Sequence, residues 1–235
     1  MDSELQEKIQ SALYAIASAK TTKNGEQRER MPSRQGGTSY ELERHGIFKR
    51  FQNVTFEAIE EKGLPPDKQI RSNYAQVKKF ASSLDEHIKN GEGLILSGKY
   101  GTMKTTMAVA VLRQLIDAGH GGLMIPMCSL IDNLYTLRTT NREEWARYEQ
   151  SIRNTRLLVI DDLGGENTDQ SWVLSKVDSI ITERYNRMKS VIITTNKTPQ
   201  ELTGTYSGRI VDRLRSTSQV LTFDGKSQRG AGEKL

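Results

Sequence analysis

The sequence predicts an α/β protein in which helices cover both faces of a parallel β-sheet. Short apolar runs have the length of buried strands, and segments with helical periodicity separate them. The predicted strands are residues 94–97, 123–127, 157–160, 190–195 and 219–223. Because strands that alternate with helices pair in parallel, we expect one sheet between two helical layers.

The helices and turns between these strands have their own sequence signals. Helical periodicity runs from Lys104 to Ala118, and the stretch GHGG at 119–122 ends that helix. Pro126 has no backbone N–H to donate, which places it at a strand end or on an edge strand. Ser129 is expected to cap the helix that follows, and a long helix is expected around residues 170–188.

The residues before about position 46 differ in composition from the rest of the chain. Residues 3–20 carry apolar side chains at helical spacing and predict a short amphipathic helix, which either packs on its own domain or binds a partner. Residues 21–39 are polar and almost lack large apolar groups, so we expect a flexible linker. The predicted organisation is an N-terminal region, 1–45, followed by an α/β domain, 46–235.

Composition narrows the class of protein. The 235 residues are 35% hydrophobic and 27% charged, and a single cysteine, Cys128, excludes an internal disulfide framework and a cysteine-based zinc site. No apolar run has the length of a membrane span and the N-terminus lacks the apolar core of a signal peptide, so a cytoplasmic protein without a membrane partner is expected. The net charge of +5 is compatible with nucleic-acid binding and equally with an ordinary basic protein.

The stretch GLILSGKYGTMKTT at residues 93–106 has the spacing of a phosphate-binding loop. An apolar strand leads into Gly98, Gly101, Lys104 and Thr105, and a helix follows. Loop amides and the helix N-terminus would converge on an anion, with Lys104 on the β- and γ-phosphates of a nucleotide and Thr105 on magnesium. Met103 occupies the position of the motif's last glycine, where a β-carbon is tolerated if the local φ is negative.

A second feature lies downstream, where LLVIDDLGG at 157–165 joins a buried strand to two aspartates. Asp161 leaves the carboxyl end of the strand and is placed to organise Mg²⁺ opposite the Thr105 hydroxyl, whereas Asp162 is placed to polarise an attacking water. An isolated pair of aspartates is commonly an acidic turn after a core strand. Downstream of a phosphate-binding loop, the pair favours a nucleotide-hydrolysing site.

The third feature is Asn196, which follows the next predicted strand in VIITTN. At the tip of that strand its amide could position a water molecule for attack. Taken alone, an asparagine before Thr198 and Pro199 is turn chemistry at a helix start. After the loop and the two aspartates, the same residue indicates a sensor of bound nucleotide.

The order of these motifs resembles the AAA+ ATPases of the bacterial replicative-helicase-loader group, which includes DnaC-like and DnaI-like loaders and the related IstB transposition helpers. The resemblance rests on GKYGTMKTT, LLVIDDLGGE, VIITTN, GRIVDRLRS and FDGKSQR, and it extends over roughly residues 46–230. It implies a P-loop fold with a five-stranded parallel sheet between helices and without a large C-terminal lid domain. Residues 46–235 would then form an ATPase domain that uses ATP and Mg²⁺.

The resemblance also assigns functions to matching residues. The ATP-binding Walker A residues are Gly98, Lys99, Tyr100, Gly101, Thr102, Met103, Lys104, Thr105 and Thr106, and the metal ligands are Thr105 and Asp161. The catalytic residues are Asp162, Asn196, Arg209 and Arg229. Arg209 matches an arginine finger that reaches the nucleotide of a neighbouring subunit, with Arg213 as a second candidate, and Arg229 matches the late arginine called sensor II.

Arg209 and Arg213 should share one helix face, with Ile210 and Leu214 on the buried side. Such a face is either a solvated basic surface or the source of a cation for the neighbouring subunit, and the motif match favours the second. Repeating a head-to-tail contact of this kind produces a homo-oligomer, either a ring or a helical filament.

The resemblance leaves three functions to separate. The first is an ATP-dependent helicase loader that assembles with a replicative DNA helicase and single-stranded DNA, with ATP hydrolysed at subunit interfaces. The second is an IstB-like transposition regulator that binds duplex DNA and a transposase. The third is a nucleotide-binding adaptor with impaired hydrolysis, which the departure at Met103 motivates.

The sequence defines a surface for single-stranded DNA less clearly than it defines the nucleotide site. Residues 138–156 contain several arginines with Trp145 and Tyr148 among them, and aromatic side chains beside arginines suit the stacking of unpaired bases. The alternative is a helix that buries Trp145 and Tyr148 in the core. The sequence leaves both open.

Overall fold

The computed structural model describes residues 39–165 and 171–228. The predicted helix at 3–20, most of the predicted linker at 21–39, and Arg229 lie outside these residues. Inside them, no helix combines the length and the apolar character needed to cross a bilayer. Leu42 and Ile47 are both buried in one core cluster, so packed structure lies on both sides of the predicted domain boundary after residue 45.

Helices and strands alternate through the described residues. The part before the first strand contains α1 (Ser39–Arg44), a 3₁₀ turn (Lys49–Phe51), α2 (Phe56–Lys62), α3 (Lys68–Ser82) and α4 (Leu84–Lys89). The middle part contains β1 (Gly93–Gly98), α5 (Lys104–Asp117), β2 (Gly122–Pro126), α6 (Met127–Thr140), α7 (Arg142–Asn154) and β3 (Leu157–Asp161). The last part contains α8 (Ser171–Asn186), β4 (Ser190–Thr195), α9 (Pro199–Thr205), α10 (Gly208–Thr217) and β5 (Ser218–Phe223).

The strands of the described residues form one parallel sheet in the order β2-β3-β4-β1-β5, which confirms the predicted fold class. In the register of this sheet, Leu94 of β1 pairs with Ile192 of β4 and with Gln219 of β5. The inner strands are buried, except at the last residue of β1 and of β3, because helices cover both faces. Helices α3, α4 and α5 pack on one face, and α6 to α10 pack on the other.

The strand order decides where the functional segments meet. Strand β4 lies between β3 and β1, and all three run in the same direction. The segments that follow these strands therefore leave the sheet side by side at its carboxyl edge, which is where open α/β sheets bind ligands.

Strand β2 lies at one edge of the sheet and ends at Pro126, so both predicted placements of this proline are confirmed. The outer side of β2 is partly covered by the segment around residue 46. The Met124 N–H donates to the His45 carbonyl at 2.8 Å, and His45 Nδ1 lies 2.7 Å from the Gly122 carbonyl oxygen. Gly46 has a φ of 76°, and a β-carbon there would lie 1.9 Å from the Met124 carbonyl oxygen, so this close approach requires glycine.

The predicted helix cap at Ser129 is wrong. Helix α6 begins at Met127, with Pro126 at the N-cap position and no side chain that caps the helix. The extended backbone of Pro126 (φ −62°, ψ 140°) passes directly from β2 into α6, so the helix starts before Ser129 and this serine lies within the first turn.

Arg184 of α8 is fully buried at the junction of two helices and a strand. Its Nη1 donates to the carbonyl oxygens of Ile152 and Thr155 at 2.7 and 3.0 Å, and its Nη2 donates to the Ser190 carbonyl at 2.6 Å. These acceptors lie at the end of α7 and the start of β4, where helix carbonyls lack partners within the helix. The guanidinium therefore ties α7, α8 and β4 together.

Candidate functional site

The segment between β1 and α5 forms a compact loop at the carboxyl edge of the sheet. Gly98 and Gly101 have positive φ angles of 134° and 74°. A β-carbon on Gly98 would lie 2.1 Å from the Phe223 carbonyl oxygen, so the close approach of β5 requires glycine at this position. The glycines of the motif therefore serve the turn itself and its contact with the last strand.

Met103 adopts the left-handed conformation, with φ 70° and ψ 11°, at the N-cap of α5. The sequence analysis expected the β-carbon of Met103 to be tolerated if the φ of this residue were negative. The φ is positive instead, so Met103 has the backbone conformation that favours glycine. For a residue with a β-carbon, this conformation costs about 1–2 kcal/mol. The half-buried side chain of Met103 packs against the core cluster, and this packing offsets part of the cost.

Lys104, the first residue of α5, is buried, with only 6% of its surface exposed. Its Nζ donates to the carbonyl oxygens of Gly98 and Lys99, at 2.8 and 2.6 Å, and to Asn196 Oδ1, at 2.9 Å. These oxygens take the place of water around the ammonium and keep a buried charge hydrogen-bonded. The lysine is therefore held within the loop, where an anion could bind it.

Thr105 and Asp161 face each other across the carboxyl edge, as the sequence predicts. The Thr105 hydroxyl donates to Asp161 Oδ1 at 2.8 Å, and the Thr194 hydroxyl of β4 donates to the same oxygen at 2.6 Å. A hydroxyl and a carboxylate oxygen suit Mg²⁺, which usually completes its coordination with water and substrate phosphates. No group of three or more His, Cys, Asp or Glu side chains that could hold a metal ion is found in residues 39–165 and 171–228.

Asp162 and Asn196 form the next part of the site. Asp162 has a φ of 60°, and its backbone N–H donates to the Thr194 hydroxyl at 3.0 Å, so the turn after β3 is attached to β4. Asn196 Nδ2 donates to Asp162 Oδ1 at 2.5 Å, while Asn196 Oδ1 accepts from Lys104. The structure thus brings Lys104, Asn196 and Asp162 into one hydrogen-bonded chain.

These residues line a cleft of about 440 Å³. The sequence analysis missed four of its lining residues, Arg50, Phe51, Thr194 and Gln228. Arg50 and Phe51 come from the 3₁₀ turn before β1, and no quoted motif contains them. Their only signal was an aromatic beside a basic residue in FKRF, a pair that is common outside binding sites. Thr194 and Gln228 lie inside the quoted motifs VIITTN and FDGKSQR, where Asn196 and Arg229 were proposed instead.

The family model of IstB-like ATP-binding proteins matches residues 67–234. The chain belongs to this family. It is 26% identical over 197 residues to the replicative helicase loader DnaC of Escherichia coli K12, which covers 81% of this chain and 76% of DnaC. It is also 31% identical over 149 residues to the insertion sequence IS21 ATP-binding protein of Pseudomonas aeruginosa, which covers 60% of this chain and 54% of that protein. The chain therefore matches only about half the length of the IS21 relative.

The solved structures agree with this family assignment. The crystal structure of the DnaC helicase loader superposes with a TM-score of 0.67 at 25% identity, over 75% of this chain and 100% of that chain. The fold of this IstB-like ATP-binding protein is thus the P-loop AAA+ fold that the resemblance implied. Because the family binds ATP, the cleft around Lys104 is the candidate nucleotide site.

Arg209 and Arg213 of α10 are not among the residues that line the cleft. They share one helix face, and Ile210 and Leu214 are buried on the other side, as predicted. The Arg209 side chain is 64% exposed and pairs with Asp178 of α8. Arg213 donates to Thr182, and its guanidinium lies 5.7 Å from the Tyr185 ring centroid.

Helix α7 resolves the two alternatives for Trp145 and Tyr148. Tyr148 is 2% exposed, and its hydroxyl accepts from Asn133 Nδ2 at 3.1 Å. Trp145 is half-buried against the core, and Lys176 Nζ lies 5.2 Å from its ring centroid. The two aromatics pack inside the IstB-like domain, which corresponds to the buried alternative, so their rings do not form an open stacking surface.

Proposed function

We propose that this protein is an ATP-dependent helicase loader that assembles with a replicative DNA helicase and single-stranded DNA. The observation that carries the ATPase part is the Lys104–Asn196–Asp162 chain beside the Thr105–Asp161 pair in one cleft. The loader part is supported by the similarity to DnaC, which extends over 81% of this chain.

ATP binding would begin with the phosphate loop. Lys104 already lies in the loop, so its ammonium can exchange protein oxygens for phosphate oxygens without leaving the site. Loop amides and the N-terminus of α5 add favourable partial charge for the anion. Mg²⁺, held through Thr105 and Asp161, would neutralise charge on the phosphates.

Hydrolysis would use Asp162, at the opposite end from Lys104 of the hydrogen-bonded series Lys104–Asn196–Asp162. Asp162 is the carboxylate that can accept a proton from the attacking water, and Asn196 holds this carboxylate in place. Because Asn196 also contacts Lys104, its amide can respond to a γ-phosphate that draws the lysine away. Asn196 would thus couple occupation of the phosphate site to the orientation of Asp162.

A further positive charge beside the phosphates of ATP would come from a neighbouring subunit. The Arg209 side chain is largely exposed on α10, and its guanidinium could leave Asp178 to reach the nucleotide of the next protomer. A single chain would then carry an incomplete catalytic site, and assembly into a ring or helical filament would complete it. Arg229 is proposed as a second cation, on the basis of the family resemblance.

A transposition regulator that binds duplex DNA and a transposase is the second candidate function. The specific observation in its favour is the 31% identity to the IS21 relative, which is higher than the 26% identity to DnaC. The longer match to DnaC supports the loader instead. Both functions would use the same ATP site.

An adaptor with impaired hydrolysis is the third candidate. It is motivated by Met103, since a left-handed residue with a β-carbon beside Lys104 limits how the loop can adjust during the reaction. A single-turnover measurement of ATP hydrolysis separates this candidate from the first two, because an adaptor binds ATP and does not cleave it.

The proposed partner can be tested by co-purification. The protein is mixed with a hexameric replicative helicase or with an IS21-type transposase, each with and without MgATP, and complexes are separated by size-exclusion chromatography. A loader forms an ATP-dependent complex with the helicase that is lost in Lys104→Ala and kept in Lys89→Ala, which alters an exposed lysine of α4. A complex with the transposase alone would reject the loader in favour of the transposition regulator.

A further inference from the structure

The segment that follows β5, residues 224–228, is hydrogen-bonded to the phosphate loop. The Lys99 N–H donates to the Phe223 carbonyl at 2.8 Å where the loop begins. Further along the segment, the Gln228 N–H donates to the Gly101 carbonyl at 2.7 Å in the middle of the loop. The last strand and the segment after it therefore hold the loop at two points.

Side-chain packing at Gly101 reinforces the second contact. A β-carbon on Gly101 would lie 2.0 Å from Ser227 Oγ and 2.9 Å from Ser227 Cβ. Gly101 also has a φ of 74°, so it needs glycine both for its backbone conformation and for the approach of Ser227. Such close contact leaves the loop little room to move while the segment stays in place.

The other end of the segment is anchored at the start of α3. The Asp224 N–H donates to Gln69 Oε1 at 3.0 Å, and Gly225 lies against Asp67, whose carboxylate caps α3. Residues 224–228 thus run from the N-terminus of α3 to the phosphate loop, and Gln228 reaches the cleft. The segment is built into the domain at both ends.

We infer that residues 224–228 position the phosphate loop for ATP, with the Gln228 backbone amide and Ser227 acting through Gly101. The inference rests on the proposed ATP site. A loop whose Gly101 peptide is already fixed loses less conformational freedom when the anion binds, so the segment raises affinity by preorganisation. By reciprocity, bound ATP stabilises the attachment of the segment to the loop.

The decisive variant is Gln228→Pro, which removes the donated N–H, compared with Gln228→Ala, which keeps the N–H and removes the side chain. We expect the Kd for ATP to be about twofold to tenfold higher in the proline variant than in the alanine variant, the range for one net hydrogen bond. Fluorescent-nucleotide titration measures the Kd. Thermal unfolding without nucleotide should show that both variants are folded, with the Tm of the proline variant lower by a few degrees at most, because one hydrogen bond is lost.

A second pair of variants tests the packing. Gly101→Ala should weaken ATP binding, and adding Ser227→Gly should restore part of the affinity because it removes the two closest atoms and leaves Cα at 3.2 Å. Hydrogen exchange of residues 224–228 should slow when ATP is added to the wild-type chain. Equal ATP affinity of Gln228→Pro and Gln228→Ala, or no rescue by Ser227→Gly, would overturn the inference and leave the ATP site intact. Absence of ATP binding by the wild-type protein would overturn the proposed function as well.

Discussion

Asn196 and Asp162 are joined by a hydrogen bond of 2.5 Å between the Asn196 side-chain amide and Asp162 Oδ1. The two residues follow neighbouring strands, β4 and β3, and their contact depends on the pairing of those strands. Since Asn196 also accepts from Lys104, the contact connects the phosphate-binding end of the cleft to the carboxylate proposed to activate water.

Replacing that carboxylate should separate ATP binding from hydrolysis. Asp162→Asn retains Asp161 for the metal and should bind ATP with a Kd close to that of the wild type. Its turnover should fall by a factor of about 10² to 10⁴, the usual contribution of a positioned general base. Steady-state phosphate release measures turnover, with Asp132→Asn, an exposed aspartate of α6, as the control. Equal turnover in Asp162→Asn and the wild type would move the catalytic function to another residue.

The strain at Met103 predicts a difference between two small substitutions. Met103→Ala and Met103→Gly both lose the packed side chain, but only alanine keeps a β-carbon in the left-handed conformation. The glycine variant should therefore be more stable than the alanine variant by about 1–2 kcal/mol in urea unfolding, in the range of the left-handed penalty. If the strain also limits chemistry, Met103→Gly should bind ATP at least as tightly as the wild type and hydrolyse it faster. A glycine variant less stable than the alanine variant would show that Met103 is unstrained.

Arg209 should act on the nucleotide of a neighbouring subunit. Arg209→Ala should bind ATP normally and hydrolyse it poorly, because its cleft residues are intact. Mixing it with Lys104→Ala should restore part of the activity, since an intact loop of one variant can meet an intact arginine of the other. Wild-type activity should also rise more than linearly with protein concentration.

The matched control for this mixing experiment is Arg215→Ala, which alters an exposed arginine of the same helix. Arg215→Ala should hydrolyse ATP when it is measured alone, without mixing with a second variant. The contrary result is a mixture of Arg209→Ala and Lys104→Ala whose ATPase activity never exceeds that of the separate variants, under conditions where both oligomerise. Arg209 would then only pair with Asp178 of its own chain.

Replacing Arg184 should lower the free energy of unfolding and have no direct effect on ATP binding. Arg184→Met keeps much of the side-chain volume but leaves the carbonyls of Ile152, Thr155 and Ser190 without their donor. An unsatisfied buried polar group costs about 1–3 kcal/mol, so we expect a loss of about 3 kcal/mol or more in urea unfolding. Arg187→Ala, which removes a partly exposed pair with Glu183, should cost about 1 kcal/mol or less. Similar losses for the two variants would contradict the importance of the buried guanidinium.

The parts of this protein that follow local rules could be predicted from sequence. Buried strands, the loop after β1 and the aspartates after β3 each depend on residues close together in the chain, and the parallel sheet follows from their alternation with helices. The order of the phosphate-binding loop, the two aspartates and Asn196 along the chain indicated Lys104, Thr105, Asp161 and Asn196 as one site.

Tertiary structure decided the features that depend on distant segments. Arg50, Phe51 and Gln228 reach the cleft only because the chains before β1 and after β5 pack beside the loop. Met103 is left-handed because the loop conformation outweighs the preference of one residue, and Tyr148 is buried because α7 packs on the core. Local propensities are worth a fraction of a kcal/mol to about 1 kcal/mol per residue, and burial of a large side chain is worth more, so packing prevails where the two disagree.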